Sequence, residues 1–356
     1  MAHPRFHQLR VAEVRRETPD CVSLRFELPA AVVNDYGFMQ GQHVALRTTL
    51  DGEELRRSYS VCSGCDDGEL RVAVKRVPGG RFSVWVNERL KPGDAIDVMT
   101  PEGRFFTPLA KDQSRHYVAF AAGSGITPVL SLIRTTLARE PHSRFTLVYG
   151  NRRQASVIFH EALEDLKDRY LTRFRLYNVF SREEQDVELF NGRIDGAKVQ
   201  QFIAALIPVG TIDEAFVCGP ASMIDEVEQA LLAAGLAREH VHVERFGVPG
   251  AAATVPIDDA EAAEARLTLV IDGVKREVDF HRGQHSILEA GRAAGLDLPY
   301  SCKGGMCSTC RGKLLEGQVK MAKNYALEPH EVAAGYVLTC QSYPLTERVL
   351  ISYDER

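Results

Sequence analysis

The sequence predicts a multi-domain chain in which an antiparallel β-barrel is followed by a doubly wound parallel α/β sheet and then by a small α+β domain. Three observations support this prediction. Short strands separated by turn residues fill the first third, strands alternate with amphipathic helices in the middle third, and four unevenly spaced cysteines lie in the last third. We expect the domains to span 1–110, 111–246 and 266–356, with a linker rich in Ala, Pro and Gly at 247–265.

Composition narrows the classes of function. The 356 residues are 45% hydrophobic and 26% charged, which is enough for several hydrophobic cores. A formal net charge of −5 gives no general support for nucleic-acid binding. No run of about 18 apolar residues is present and the first ten residues are polar, so we expect neither a membrane span nor a signal peptide. We therefore expect a cytoplasmic protein whose thiols stay reduced.

Six short segments with β-rich, partly alternating character predict the barrel. Turn signals such as Asp51-Gly52, Asp67-Gly68 and Pro92-Gly93 separate them. One helix-like segment interrupts at 82–90. The six predicted strands are 11–18, 22–28, 42–50, 55–62, 70–77 and 95–100.

Two places in the barrel could carry chemistry. The first is Arg57-Ser-Tyr59-Ser60 at a strand end, where a guanidinium could hold a pyrophosphate and an aromatic ring could lie against another ring. The second is the turn Gly79-Gly80, which opens onto a helix and offers free backbone amides to an anion. Each signal is weak without further context.

The middle third predicts a parallel sheet. A buried strand at 117–121 leads into Gly123-Ser-Gly125-Ile-Thr127-Pro128, and a helix at 129–139 follows. Thr127 is a suitable N-cap and Pro128 a suitable first helical residue. This loop departs from the dinucleotide fingerprint, because Pro128 replaces the third glycine. The remaining predicted strands and helices lie at 145–149, 159–170, 174–180, 198–206, 215–218, 223–234 and 241–246.

Polar residues end several of these strands, where ligands of such sheets bind. Ser181 and Arg182 could bind a 2′-phosphate, which would favour NADPH over NADH, although a solvated surface arginine stays open as an alternative. The other residues of this kind are Asn151, Arg152, Cys218, Gly219 and Pro220, with Glu244 and Phe246 closing the domain.

The cysteines of the last third have the spacing of a plant-type 2Fe–2S site. Four residues separate Cys302 from Cys307, two separate Cys307 from Cys310, and Cys340 follows at a distance. The glycines at 304 and 305 let the backbone wrap closely, and a packed strand at 336–341 could supply the fourth thiolate. Zinc is the next alternative, but zinc ligands usually occur as two similar pairs.

A second cysteine pair and a set of cations admit two interpretations each. Cys62 and Cys65 have the spacing of a redox dithiol, but no strand-to-helix junction surrounds them, and we favour coincidence. Five cations lie near the C-terminal cysteine loop and form either an ordinary solvated surface or a docking face for an acidic partner. They are Lys303, Arg311, Lys313, Lys320 and Lys323.

The remaining elements of the last third predict a β-grasp fold. A hairpin spans 267–280 with its turn at Asp272-Gly273, and a helix at 286–294 has Ser286 as N-cap and Gly295 as its stop. Strands at 312–315, 336–341 and 349–353 and a short helix at 329–334 complete the order found in plant-type ferredoxins.

The motifs resemble those of the ferredoxin–NADP reductase family, and the resemblance implies a role for each. It implies that Arg57 binds the flavin pyrophosphate, that Tyr59 packs on the isoalloxazine, and that Ser60 approaches its N5 atom. FAD is the expected flavin, with FMN less favoured. Cys218 would lie by the nicotinamide C4, and Glu244 and Phe246 would close against the flavin. The further expected cofactor-binding residues are Lys75, Gly79, Gly80, Arg81, Ser83, Gly123, Gly125, Thr127, Asn151, Arg152, Ser181, Arg182, Gly219 and Pro220.

Along its whole length the chain resembles reductase components of bacterial multicomponent oxygenases. The runs that carry this resemblance are 52–60, 122–128, 242–246 and 303–341. It implies an NADPH-dependent oxidoreductase that passes electrons through FAD and a 2Fe–2S cluster to the oxygenase component of an epoxidase or hydroxylase. Two rivals stay open: the reductase of a different hydroxylase or dioxygenase, and a non-catalytic iron–sulfur redox sensor.

Overall fold

The structure is a computed structural model that describes residues 4–246 and 262–355. Most of the predicted linker at 247–265 therefore lies outside the described residues. The described residues form two compact units. One contains His7–Leu55 and Tyr59–Phe246, and the other contains the C-terminal domain together with residues 4–6 and Arg56–Ser58.

Six antiparallel strands form the predicted barrel. Their order in the sheet is β4-β3-β6-β1-β2-β5, and a bridge between Val61 and Val72 joins the two ends, so the sheet closes on itself. Asp51 and Gly52 have φ angles of 53° and 79°, which fit the tight turn between β3 and β4. The strands are β1 Phe6–Thr18, β2 Cys21–Phe26, β3 His43–Leu50, β4 Glu53–Ser60, β5 Leu70–Lys75 and β6 Ala95–Met99.

One helix, α1 (Arg81–Glu88), interrupts the barrel between β5 and β6. Its first turn follows Gly79, whose φ of 72° favours glycine, and its N-cap Gly80 has no side chain to satisfy the first helical amides. Phe82 and Val86 anchor the helix in the barrel core. The N-terminal amides of α1 are therefore available to an anion.

Five parallel strands form the second sheet, in the order β11-β10-β7-β8-β9. Apolar clusters cover both faces, as expected for a doubly wound fold. The strands and helices are β7 His116–Ala122, α2 Ile126–Arg139, β8 Arg144–Asn151, α3 His160–Arg169, β9 Phe174–Phe180, α4 Gly196–Ala205, β10 Glu214–Gly219, α5 Ala221–Ala233 and β11 Val241–Arg245.

The start of α2 differs from the sequence prediction. The N-cap is Gly125, and Thr127 is the second helical residue rather than the cap. The Thr127 hydroxyl donates to the Ser124 carbonyl 3.0 Å away, so it braces the glycine loop from inside the helix. The reason is a short 3-10 turn, Gly123–Gly125, which winds the chain into the helix one turn early.

The barrel and the parallel sheet share one apolar cluster within their unit. Cys62 and Phe105 contribute from the barrel side, and Phe216 of β10 contributes from the sheet. The rings of Phe105 and Phe216 meet edge to face, with centroids 5.3 Å apart. The two parts of this unit are therefore packed together, which fixes the ends of their strands relative to each other.

The C-terminal domain has a mixed sheet in the order β13-β12-β18-β14-β16, with a small second sheet of β15 and β17. Ser286 caps α6 by accepting from the Glu289 amide, as predicted. Its elements are β12 Ala265–Ile271, β13 Val274–Phe280, α6 Ile287–Ala293, β14 Arg311–Glu316, β15 Val319–Met321, α7 Pro329–Ala333, β16 Tyr336–Leu338, β17 Ser342–Pro344 and β18 Arg348–Ser352.

Two details of this domain correct the sequence prediction. The strand expected at 336–341 ends at Leu338, so Cys340 lies in the turn that follows it. Ala265, placed in the linker, is instead the first residue of β12 and pairs with Phe280. Periodicity could not locate the end of the strand at Leu338, because the β-branched Thr339 and the Cys340 that follow are as compatible with a strand as with a turn.

Within residues 4–246 and 262–355, no helix has both the length and the apolar character needed to cross a membrane.

Candidate functional site

Three polar side chains from different strands converge in the larger unit. Cys218 of β10 lies opposite Glu244 of β11 in the parallel register. Ser60, the last residue of β4, donates a hydrogen bond from its hydroxyl to Glu244 Oε1 at 3.4 Å. Ser60 and Cys218 are buried and Glu244 is partly buried. Three residues predicted to be catalytic are thus brought together from the barrel and the parallel sheet.

Desolvation dominates the electrostatics of this group. It raises the pKa of Glu244 from 4.5 to about 8, against a smaller opposing effect of the Ser60 hydrogen bond. It also raises the pKa of the Cys218 thiol, and the Glu244 charge adds to that effect. At neutral pH the carboxyl therefore holds a proton and the thiol stays neutral, so the group carries no net charge.

The glycine loop lies directly against the end of β10. A Cβ atom on Gly125 would lie 2.0 Å from the Cys218 carbonyl oxygen, so only glycine allows this approach. The Tyr149 hydroxyl donates to the Gly123 carbonyl at 2.9 Å and holds the other end of the loop. Gly125 thus brings the glycine loop into close backbone contact with the end of β10 at Cys218.

The barrel presents an aromatic pair and a glycine turn at the start of α1. Tyr59 stacks on Phe82, with centroids 5.9 Å apart and planes inclined by 30°. The Ser83 hydroxyl accepts from the Val77 amide at 3.0 Å, so it shapes the glycine turn. Arg81 pairs with Glu53 and Asp51. Direct contact of Ser83 or Arg81 with a pyrophosphate remains a prediction.

Two further cations take different positions. Arg57 is exposed, and its guanidinium donates to the neighbouring Arg56 carbonyl at 2.7 Å. Lys75, at the end of β5, lies 3.7 Å from Asp20 and 3.9 Å from the position that a Cβ on Gly123 would take. Lys75 therefore reaches from the barrel toward the glycine loop of the second sheet.

The ends of β8 and β9 lie side by side. The Ser181 amide donates to the Asn151 carbonyl at 3.0 Å, and the Arg182 amide donates to the Arg152 carbonyl at 2.9 Å. Both arginine side chains are exposed. Two arginines that are 30 positions apart in sequence are thereby backbone neighbours at the carboxyl edge of the sheet.

The four C-terminal cysteines form two pairs of neighbouring thiols, Cys302 with Cys307 and Cys310 with Cys340. The first pair is partly exposed and the second is buried. A hydrogen bond from the Cys307 thiol and the backbone amides of Gly304 and Met306 lower the pKa of Cys302 to about 6, against the opposing effect of burial.

This donor set fits a binuclear cluster. Two irons bridged by two sulfides need four thiolates, two for each iron, and backbone amides aimed at sulfur stabilise them. The two pairs of neighbouring thiols match two irons, and Cys302, Cys307, Cys310 and Cys340 would hold them.

Cys62 and Cys65 have different surroundings. The Cys62 thiol donates to the Arg71 carbonyl at 3.3 Å, and the Cys65 thiol contacts Gln40 Oε1 at 3.8 Å, so the two thiols have separate partners. Burial raises the pKa of both thiols, which is the opposite of what a reactive dithiol needs.

Family models match the chain in the same order as the three sites. The oxidoreductase FAD-binding domain matches residues 8–107, the oxidoreductase NAD-binding domain residues 120–229, and the 2Fe–2S iron–sulfur cluster binding domain residues 269–345. The chain is 47% identical to a component of 1,2-phenylacetyl-CoA epoxidase from Escherichia coli, over 99% of this chain and 98% of that one. The chain belongs to the family of oxygenase reductases.

Other oxygenase reductases are similar over nearly the full length. The ferredoxin reductase component of 3-ketosteroid-9-alpha-monooxygenase from Rhodococcus rhodochrous is 34% identical over 97% of this chain and 96% of its own. Among solved structures, phthalate dioxygenase reductase aligns over 98% of both chains with a TM-score of 0.58 and 22% identity, which supports the fold. This chain is accordingly an oxidoreductase with FAD-, NAD- and 2Fe–2S-binding domains.

Two residues of the site were missed by sequence reasoning about function. Phe82 supports the ring of Tyr59, and Tyr149 positions the glycine loop. An aromatic residue two positions after the Gly79-Gly80 turn, and one near the end of a buried strand, were the available signals. Both are also common core positions, so sequence alone could not distinguish a supporting role from packing.

Proposed function

We propose that this oxygenase reductase takes electrons from NADPH and delivers them, through FAD and a 2Fe–2S cluster, to the oxygenase component of phenylacetyl-CoA epoxidase in aerobic phenylacetate catabolism. The observation that carries the proposal is the convergence of Ser60, Cys218 and Glu244 beside the glycine loop. The full-length similarity to the 1,2-phenylacetyl-CoA epoxidase component from Escherichia coli supports the choice of partner.

When bound, a nicotinamide supplies a hydride, a flavin accepts it and releases electrons singly, and a 2Fe–2S cluster carries one electron at a time. The residues of this chain shape the site in which those groups would bind. Gly125 allows the glycine loop to pack directly against the Cys218 carbonyl, and the Cys218 thiol is shielded from water. The Glu244 carboxyl holds a proton at neutral pH, and its Oε1 atom accepts a hydrogen bond from the Ser60 hydroxyl.

The preference for NADPH rests on Arg152 and Arg182. Their backbones are hydrogen-bonded together, and their exposed guanidinium groups suit the two negative charges of a 2′-phosphate. NADH lacks that phosphate, so it would gain little from this site.

Replacement of Arg182 tests this preference. We expect Arg182→Ala to raise the KM for NADPH by roughly 10-fold or more, and to leave the KM for NADH within about twofold, because a charge-assisted contact is lost only with NADPH. Arg175→Ala removes another exposed arginine, near the start of β9, and serves as the control. Equal effects on the two nucleotides would contradict the assignment.

A reductase of another oxygenase is the second candidate, since reductases for ketosteroid and glycine betaine monooxygenases are 30–34% identical to this chain. NADPH-dependent turnover with each purified oxygenase component distinguishes the candidates. NADPH-dependent reduction of cytochrome c separates all of them from a non-catalytic redox sensor, which would not reduce it.

We also propose that the protein acts in the cytoplasm. All eight cysteines are unbonded to one another, and a reducing compartment keeps such thiols available for cluster assembly. Fractionation of cells that produce the protein tests this placement.

A further inference from the structure

An exposed aromatic side chain lies beside the C-terminal cysteine loop. Tyr325 is 51% exposed, and its amide donates to the Gly305 carbonyl at 3.0 Å. Gly305 lies between Cys302 and Cys307, the partly exposed pair of thiols. A large aromatic side chain held open to solvent next to the exposed half of the cysteine site is typical of a contact surface.

The segment that carries Tyr325 is held rigidly. Asn324 closes a turn by accepting from the Leu327 amide at 2.8 Å and donating to the Leu327 carbonyl at 2.9 Å, while Leu327 is buried. The Ala322 amide donates to the Gln341 carbonyl at 2.8 Å and fixes the start of the segment. The Tyr325 ring is thus presented by an ordered turn, so little conformational entropy is lost when a partner covers it.

The charged residues near the loop do not form a basic face. Lys303 pairs with Glu289 at 2.7 Å, Arg311 pairs with the buried Glu331 at 2.6 Å, and Lys313 pairs with Glu355 at 3.0 Å. Three of the five cations considered from sequence are therefore compensated within the domain. With three of the five compensated, the loop offers an acidic partner less charge than the sequence suggests, whereas an apolar partner would find Tyr325.

We propose that Met306, Tyr325, Cys302 and Cys307 form the exit surface, and that Tyr325 inserts into an apolar pocket of the oxygenase component. The proposal rests on the proposed function, because the partner must approach the cysteine site closely enough for an electron to leave. Met306 lies between the two exposed cysteines and is partly exposed, so it extends the apolar area around them. A hydrogen-bond acceptor in the pocket would satisfy the phenol hydroxyl.

Alanine substitution with a matched control tests the exit surface. Tyr325→Ala removes the ring, Tyr325→Phe removes only the hydroxyl, and Leu315→Ala removes an apolar side chain of equal exposure, 49%, near the far end of β14. Calorimetric titration with the purified oxygenase component of phenylacetyl-CoA epoxidase, without NADPH, measures binding. Steady-state turnover measures the KM for that component.

We expect Tyr325→Ala to raise the Kd and the KM for the oxygenase component by roughly tenfold or more, and Tyr325→Phe to have a smaller effect. Cytochrome c reduction and the visible spectrum of the cluster should stay within about twofold of wild type, because the site itself is unchanged. Leu315→Ala should match wild type. Salt between about 50 and 300 mM should change the Kd by less than about threefold.

The outcomes separate the two proposals. If wild-type protein reduces cytochrome c and supports epoxidase turnover, but Tyr325→Ala binds as well as wild type, the exit surface is wrong and the proposed function stands. An equal loss in Leu315→Ala, or a steep salt dependence, also overturns the apolar exit surface. If wild-type protein supports no turnover of the epoxidase, the partner assignment fails and the inference fails with it.

Discussion

Two pairs of cysteines in this chain share the same spacing, Cys62 with Cys65 and Cys307 with Cys310, yet their surroundings differ. The turn of Cys62 and Cys65 is bound to α2: the Cys65 amide donates to the Thr135 hydroxyl at 3.0 Å, and Asp66 forms a bidentate pair with Arg139. Its thiols contact oxygen acceptors. In the C-terminal loop, the backbone amides of Gly304 and Met306 are aimed instead at the sulfur of Cys302, the neighbour of Cys307. Spacing brings thiols near each other, but the direction of the backbone amides decides whether they suit a metal.

Replacing one cysteine of each pair by serine should give the largest difference between the two pairs. We expect Cys310→Ser to abolish the visible absorbance and the EPR signal of the cluster and to reduce cytochrome c reduction to background, because one of four thiolate ligands is lost. Cys62→Ser should keep both within about twofold, since a hydroxyl can also donate to the Arg71 carbonyl. Loss of cluster signal in Cys62→Ser would contradict the comparison.

Burial raises the pKa of Glu244, as it raises those of Cys62 and Cys65. The shift at Glu244 should make the free energy of unfolding depend on pH. The folded carboxyl ionises at about pH 8 and the unfolded one near 4.5. The folded protein favours the protonated carboxyl, so the free energy of unfolding is highest below pH 4.5 and falls as the pH rises toward 8. The fall is at most about 5 kcal/mol, because each unit of pKa shift corresponds to about 1.36 kcal/mol. We expect Glu244→Gln to flatten this pH dependence in denaturant unfolding.

The exposed Glu239 provides the control for that experiment. Glu239→Gln should leave the shape of the stability profile between pH 5 and 9 as in wild type. An unchanged profile in Glu244→Gln would show that the carboxyl is solvated in the folded protein.

The backbone of Gly125 packs closely against the Cys218 carbonyl. Like the amides that point at Cys302, this contact depends on one backbone geometry. We expect Gly125→Ala to lower the free energy of unfolding by about 1–3 kcal/mol and to raise the KM for NADPH, because the new Cβ would overlap the Cys218 carbonyl. Gly210→Ala is the matched control, since a Cβ there meets no atom within 4 Å. Thermal unfolding and steady-state kinetics measure both effects, and a Gly125→Ala protein equal to the control would contradict the close packing.

The ion pair that binds the Cys62–Cys65 turn to α2 should have the smallest effect. Arg139 and Asp66 are both substantially exposed, and the pair lowers the pKa of Asp66. We expect Arg139→Ala to cost less than about 1 kcal/mol, measured by urea unfolding at neutral pH, because solvent screens such pairs. A larger loss would mean that the turn contributes more to packing than its exposure indicates.

Sequence patterns placed nearly every strand and helix, because alternation and amphipathic periodicity report directly which face is buried. They were less reliable at the ends of elements. Thr127 was expected to cap α2, but the 3-10 turn at Gly123–Gly125 starts the helix earlier. Cys340 was placed within a strand that stops at Leu338, since Thr339 and Cys340 are as compatible with a strand as with a turn.

The sequence by itself determined the fold class and the order of the three binding domains, and it predicts the cysteine ligands, because periodicity and ligand spacing are local properties of the chain. Only the tertiary structure decided that Ser60 reaches Glu244, that Arg152 lies beside Arg182, and that Lys303, Arg311 and Lys313 are compensated by carboxylates. These contacts join residues from 14 to 184 positions apart. They depend on how strands pair and elements pack, which no local pattern encodes.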